Sequence, residues 1–119
     1  WALSAALSAV YGEDMSNAIG RFKELADSGA GGSGFSFVDL AADRSGVAYG
    51  RRSDDPEKAE SVAATLKRAK ATDLLPVKAL ALSEGLSEEA FIRQYQTIES
   101  SRYAAMEARI DRILEANLN

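Results

Sequence analysis

The residues best suited to chemistry are carboxylates on either side of a glycine-rich segment. Glu24 and Asp27 precede that segment, whereas Asp39 and Asp43 follow it, and Arg44 comes directly after the last of them. On a helix Asp39 and Asp43 would be four residues apart and share a face, where two like charges repel unless a cation or a partner separates them. These five residues are therefore the candidate ligand-binding site.

Three interpretations of this acidic cluster are open. In the first, which we favour, the cluster is structural: Asp39 serves a helix cap, and Asp43 can pair with Arg21, Lys23 or Arg44. In the second, paired carboxylates cleave a glycan, as in glycoside hydrolases. In the third, the carboxylate oxygens hold a divalent cation or another small ligand. The sequence assigns no catalytic residue and no metal ligand.

Composition narrows the functional classes. The 119 residues include no cysteine and no histidine, which excludes thiol nucleophiles, zinc sites of the usual kind and imidazole acid–base chemistry. We therefore expect no cofactor, and a non-enzymatic role is the favoured one. The 18 acidic side chains outnumber 14 basic ones, which argues against nucleic acid as a partner.

The glycine-rich segment between the carboxylates runs Ser-Gly-Ala-Gly-Gly-Ser-Gly from residue 28 to 34. Each glycine adds backbone freedom that a regular element would have to remove. The segment lacks the Lys and Ser/Thr ending of a phosphate-binding loop, and it follows a helical pattern rather than a strand. The sequence predicts an irregular, flexible loop at residues 28–35.

The elements that would position these groups are helices. Residues 1–26 read as one long helix or two abutting ones joined at Gly12. Their apolar residues recur three and four apart, so we expect these side chains to face the core: Leu3, Leu7, Val10, Met15, Ala18, Ile19, Phe22, Leu25 and Ala26.

After the loop, Ser36 and Asp39 have the spacing of a capping box, in which Ser36 caps a helix and the Asp39 carboxylate reaches back to the Ser36 amide. Gly46 and Gly50 in this helix would let a neighbouring backbone come close. Another helix begins at Asp55-Pro56 and is expected to end near Ala71.

The C-terminal half gives three more helical signals. A short helix is predicted to begin at Pro76, another is capped by Ser87, and the last opens at Ser100 or Ser101. No segment is rich in β-branched residues and alternates apolar with polar positions, so a sheet is unexpected. We predict an all-α domain, a compact bundle of five to six helices around an alanine-rich core. The aromatic residues Phe91, Tyr95 and Tyr103 have core spacing.

Two stretches carry a resemblance to a known group. The run Phe-Ser-Phe-Val-Asp-Leu-Ala-Ala-Asp-Arg-Ser-Gly at residues 35–46 is one, and Gly-Leu-Ser-Glu-Glu-Ala-Phe at residues 85–91 is the other. They resemble helical proteobacterial proteins that are predicted to be exported and have no assigned activity. The resemblance implies a location in the periplasm or at the cell envelope, and it implies no catalytic residue.

These observations set the expectations for the whole chain. Residues 1–119 are taken as a single domain, and because the first residue is Trp1 rather than Met, we expect processing or truncation at the N-terminus. No segment suits a membrane span. The favoured function is a non-enzymatic periplasmic or envelope-associated interaction domain that binds another protein or a second copy of itself.

Overall fold

Helices make up all the regular structure in the computed structural model, which describes the backbone of residues 1–118 and the side chains of residues 1–117. In chain order the helices are α1 (Ala2–Tyr11), α2 (Glu13–Ser28), α3 (Phe37–Ser53), α4 (Pro56–Leu66), α5 (Ala71–Leu74), α6 (Val77–Leu80), α7 (Glu88–Tyr95) and α8 (Ser101–Leu118). The all-α prediction is confirmed: α6 is the short helix expected at Pro76, and the single turn α5 is the one helix that was not predicted. The β pairing within residues 1–118 is one isolated antiparallel bridge between Phe35 and Leu86.

Helix ends follow the predicted capping residues. The Ser36 hydroxyl accepts a hydrogen bond from the Asp39 amide at 3.0 Å, and the Ser87 hydroxyl accepts one from the Ala90 amide at 3.2 Å. Asp55 caps α4 by accepting from the Glu57 amide at 3.0 Å. Each bond satisfies one of the amides that a helix N-terminus leaves without an internal partner.

The predicted extent of α4 is wrong, because the helix ends at Leu66 rather than near Ala71. The Arg68 amide donates a hydrogen bond to the Thr65 carbonyl at 3.0 Å, which closes a turn at the end of the helix. The Lys70 amide then donates to the Asp73 carboxylate at 2.8 Å, and α5 begins there.

The core is aromatic rather than alanine-rich. Five fully or nearly buried rings stack and tilt against one another, with centroid separations from 4.6 to 6.4 Å: Phe35, Phe37, Phe91, Tyr95 and Tyr103. Such rings bury more area than alanine and prefer these offset and edge-on geometries. The cluster joins the segment before α3 to α7 and α8.

The predicted core face of α1 and α2 is wrong for most of its large residues, although Leu25 packs against the core and Leu7 is half-buried. The large apolar side chains of these helices face solvent, with exposed fractions of 70% for Leu3, 71% for Val10, 54% for Met15, 42% for Ile19 and 64% for Phe22. The buried positions are instead small or polar and lie four residues apart: Ser4 and Ser8 on α1, and Ser16, Gly20, Glu24 and Ser28 on α2. Both helices therefore turn their small-residue faces inward.

Small residues allow α1 to lie very close to α3, as expected from Gly46 and Gly50 on α3. A Cβ atom added at Gly50 would stand 2.4 Å from the Ala5 carbonyl oxygen, closer than real Cβ contacts. The buried serine hydroxyls also have acceptors, because Ser8 donates to the Val47 carbonyl and Ser16 donates to the Ser4 carbonyl. This contact combines close backbone approach with satisfied hydroxyls, a mode of packing familiar from membrane helices.

The glycine-rich loop is irregular as predicted, and hydrogen bonds shape it. The Gly34 amide donates to the Asp27 carbonyl at 2.7 Å, so the loop folds back on the end of α2. Gly34 has φ +92° and lies against the backbone of Gly85, where a Cβ would meet the Gly85 carbonyl carbon at 2.4 Å. The loop thereby positions Phe35 for its antiparallel β bridge with Leu86.

Candidate functional site

Glu24 is a buried carboxylate that completes the N-terminal cap of another helix. Its side chain has no exposure to solvent, and Oε2 accepts a hydrogen bond from the Ser36 amide at 2.9 Å. Oε1 accepts from Lys23 Nζ at 3.1 Å. Burial raises the pKa of the Glu24 carboxyl above its ordinary value, although both hydrogen bonds act in the opposite direction.

This contact corrects the predicted capping box. Ser36 does cap α3, but its amide is bonded to Glu24 from α2 rather than to Asp39, which lies three residues further along the same helix. The Asp39 side chain is exposed. The glycine loop makes this exchange of acceptors possible, because it folds the chain back so that the Ser36 amide lies beside Glu24 on α2.

Asp27 and Asp43 have separate partners. Asp27 accepts from Lys23 at 2.9 Å, an exposed pair four residues apart that contributes less than about 1 kcal/mol. Asp43 Oδ1 accepts from the Ser4 hydroxyl at 2.7 Å and lies 3.4 Å from the amino group of Trp1. Asp43 thus anchors α1 on α3, and it pairs with none of the three cations considered from the sequence.

Arg44 belongs to an ion-pair network between α2, α3 and α8. Its guanidinium lies 3.2 Å from Glu107 and 3.1 Å from Asp111, while Arg21 Nε donates to the same Glu107 at 2.6 Å. Burial raises the pKa of Asp111, which the Arg44 charge only partly offsets. The network borders a pocket of about 250 Å³ that also includes Asn17.

The five predicted site residues therefore do not form one site. Arg44 borders the pocket beside α8, Asp43 lies under α1, Glu24 is sealed beneath the start of α3, and Asp27 and Asp39 lie at the surface. In residues 1–117 no three carboxylates are grouped so that they could hold a metal ion. Burial of Glu24 is also unfavourable for the hydrolase alternative, because a catalytic carboxyl must reach its substrate.

Two surface features were missed from the sequence. The first, which we call the outer stripes, consists of the exposed apolar side chains Leu3 and Val10 on α1 and Met15, Ile19 and Phe22 on α2. The signal that could have identified them is the four-residue spacing of serine and glycine on the opposite face of each helix. Large exposed apolar patches mark interaction surfaces in soluble proteins.

The second missed feature is a groove of about 450 Å³ between α2 and α7, which we call the α2–α7 groove. Leu25, Phe91 and Ile98 form its less exposed surface, and Phe22 and Ile92 stand at its edges with 64% and 52% of their areas exposed. Because Phe22 also belongs to the outer stripe of α2, the stripe leads into the groove. The volume lies within the range of sites that accept a ligand or a protein side chain.

No family model, no curated protein and no solved structure matches this chain. No helix within residues 1–118 combines the length and the apolar character needed to cross a bilayer.

Proposed function

We propose that this chain is a non-enzymatic helical interaction domain that binds another protein through the outer stripes of α1 and α2. One observation carries the proposal: the two helices bury serine and glycine and turn five large apolar side chains to solvent. Such an arrangement is unfavourable in an isolated domain unless another surface covers it. The separate structural contacts of Glu24, Asp27 and Asp43 further support a non-enzymatic role.

The energy available at the outer stripes is substantial. Full burial of one large apolar side chain contributes about 1.5–3 kcal/mol. Five such residues, each exposed by 42 to 71%, would contribute roughly 5–9 kcal/mol if a partner covered them. Association itself costs about 4–15 kcal/mol. The stripes therefore supply a large part of an affinity that further contacts must complete.

Charge favours a protein over a membrane as the partner. Helix α1 contains no charged residue. At the elbow between α1 and α2, Glu13 pairs with Arg51 at 2.8 Å, and Asp14 adds a further negative charge. Helices that lie on membranes usually present Lys and Arg beside their apolar face, where these meet anionic lipid. An acidic elbow would instead be repelled by such a surface.

Site-specific photo-cross-linking in the source cells would test this proposal. A photoreactive phenylalanine analogue is placed at Val10 or Ile19, and a matched control is placed at Val77, which is 65% exposed on α6. We expect one discrete cross-linked product from the stripe positions, which disappears when Met15→Ser is added. Equal products from Val77, or no discrete product from either stripe, would refute the proposal.

A stability measurement checks the geometry independently. Because Ile19 and Val10 are exposed, Ile19→Ser and Val10→Ser should change the free energy of unfolding by less than about 0.5 kcal/mol. A loss above about 1.5 kcal/mol would mean that the stripes are buried within the folded chain. We further propose, from the sequence resemblance, that the domain acts in the periplasm or at the envelope, which release by osmotic shock would test.

A further inference from the structure

We infer that the α2–α7 groove binds a basic amphipathic helix of a partner protein, which inserts an apolar side chain and sets Lys or Arg beside Glu88 and Glu99. The inference depends on the proposed function, because it names the class of partner segment that the interaction domain recognises. Three observations support it: the apolar lining, the unpaired acids at the rim and a strained turn that forms one edge.

The shape of the groove suits a side chain presented by a helix. Its walls are α2 on one side and α7 with the following turn on the other, and Phe22 and Ile92 project at its edges. Amphipathic helices bind in such grooves by inserting residues spaced three, four and seven apart. The single β bridge in residues 1–118 lies at Phe35 and Leu86, both more than half covered, so strand addition has no comparable edge.

The charge at the rim is acidic, and only the N-terminal end of α7, where Glu88 lies, offsets part of it. Glu88 and Glu99 both border the groove and are exposed, and neither has an ion-pair partner among the side chains of residues 1–117. The nearest cations in sequence are otherwise engaged, since Arg93 pairs with Glu89 at 3.0 Å and Arg102 donates to the Gln94 carbonyl at 3.4 Å. On α2, Lys23 contacts Glu24 and Asp27. No Lys or Arg contributes to the groove lining.

This charge pattern selects among occupants. Two acids beside an apolar channel favour a partner whose apolar residue is flanked by Lys or Arg, because complementary charges raise the rate of encounter and exclude acidic competitors. The same two acids disfavour an anionic lipid surface.

One edge of the groove is held by a strained turn. Gln96 has φ 66° and ψ −70°, and the Thr97 amide donates to the Tyr95 carbonyl at 2.8 Å across it. This is a γ-turn of the rare kind, in a conformation that a residue with a side chain rarely adopts. It fixes Ile98 and Glu99 beside α7, so the rim exists before a partner binds. Strained backbone of this kind is concentrated at binding sites.

The test uses two labelled peptides of about 14 residues, or about four helical turns. Both carry leucines on one face, and one has lysine and the other glutamate on the flanks. Fluorescence anisotropy measures their binding to the full chain. We expect the lysine peptide to bind at least about tenfold more tightly, the difference that two rim ion pairs can supply.

Matched variants connect the binding to the groove. Glu88→Lys combined with Glu99→Lys should reverse the peptide preference, whereas Asp54→Lys with Glu60→Lys, an equal change of charge at exposed positions outside the groove, should leave the preference in place. Ile92→Ser should weaken binding of the lysine peptide about tenfold, whereas Val77→Ser should not. Ile92 and Val77 have similar exposure, 52% and 65%, so both variants should fold.

Several results would overturn the inference. One is equal binding of the two peptides, and another is an equal response to the rim and control reversals. Sedimentation velocity that shows self-association abolished by Ile92→Ser would assign the groove to a second copy of the chain. Binding to vesicles of phosphatidylcholine and phosphatidylglycerol that requires Ile92 would assign it to lipid. If the groove variants do not change peptide binding as expected while cross-linking at Ile19 persists, the inference about the groove is wrong and the proposed function is still supported.

Discussion

Replacing Glu24 tests whether its buried carboxylate is a structural acceptor. In Glu24→Ala the Ser36 amide, on a residue that is 6% exposed, loses its hydrogen-bond acceptor, which costs about 1–3 kcal/mol. Loss of one buried methylene group, Cγ, adds about 0.8 kcal/mol. Relief of the buried charge offsets part of this sum, so we expect a net loss of about 1–3 kcal/mol. For a chain of this size that lowers the melting temperature by about 4–12 °C.

Glu24→Gln separates the acceptor from the charge. The amide oxygen can still accept from Ser36, and no charge is buried, so this variant should remain within about 1 kcal/mol of the native protein at neutral pH. Asp39→Ala is the matched control, because Asp39 lies in the first turn of the same helix with an exposed side chain. It should cost less than about 0.5 kcal/mol. Urea and thermal unfolding followed by circular dichroism would measure all three variants.

The pH dependence provides a second readout with a defined sign. Burial raises the pKa of Glu24 in the folded state, so between its ordinary value and the raised value the folded chain binds more protons than the unfolded chain. The stability of the native protein relative to Glu24→Gln should therefore fall as pH rises through that interval. If the glutamine variant loses as much stability as the alanine variant at neutral pH, the negative charge is required and our reasoning is wrong.

Two further predictions concern the backbone. Gly50→Ala should lose about 1–3 kcal/mol in urea unfolding because its Cβ would meet the Ala5 carbonyl at 2.4 Å, whereas Gly20→Ala, whose Cβ would lie 3.5 Å from Asp43, should be at least as stable as the native chain. Equal stability of the two variants would contradict the close α1–α3 contact. Gln96→Gly should raise the melting temperature, because relief of about 1–3 kcal/mol of strain exceeds the entropy cost of glycine of about 0.5–1 kcal/mol. A lower melting temperature would show that the Gln96 side chain contributes more to packing than its backbone costs.

Local rules predicted most of the helices and their beginnings. Ser36, Asp55 and Ser87 cap helices as expected, because a cap depends on residues that are two or three positions apart in sequence. The same local rule assigned the wrong acceptor to the Ser36 amide. This amide is satisfied by Glu24, twelve residues earlier, and only the path of the glycine loop brings the two together. A pattern read within one helix does not contain that information.

The acidic cluster shows the same limit at the level of the site. Neighbouring carboxylates suggested one site, but Asp39 is exposed in the first turn of α3, whereas Asp43, one turn further along the same face, lies under α1 and accepts from Ser4. Arg44, the next residue, turns towards α8 and meets Glu107. Each residue on a helix advances the direction of its side chain by about 100°, so adjacent charges face different helices. Their partners depend on tertiary packing.

The orientation of α1 follows from which of its two faces can approach α3. If the outer stripe faced inward, Leu3 and Val10 would meet Gly46 and Gly50 at a separation that already excludes a single Cβ atom. The helices would have to move apart, and the hydroxyls of Ser4 and Ser8 would lose their bonds to Asp43 and Val47. The exposed stripe is thus the consequence of a close, hydrogen-bonded contact on the opposite face. Within residues 1–117 that stripe stays uncovered, which is why we propose that a partner surface covers it.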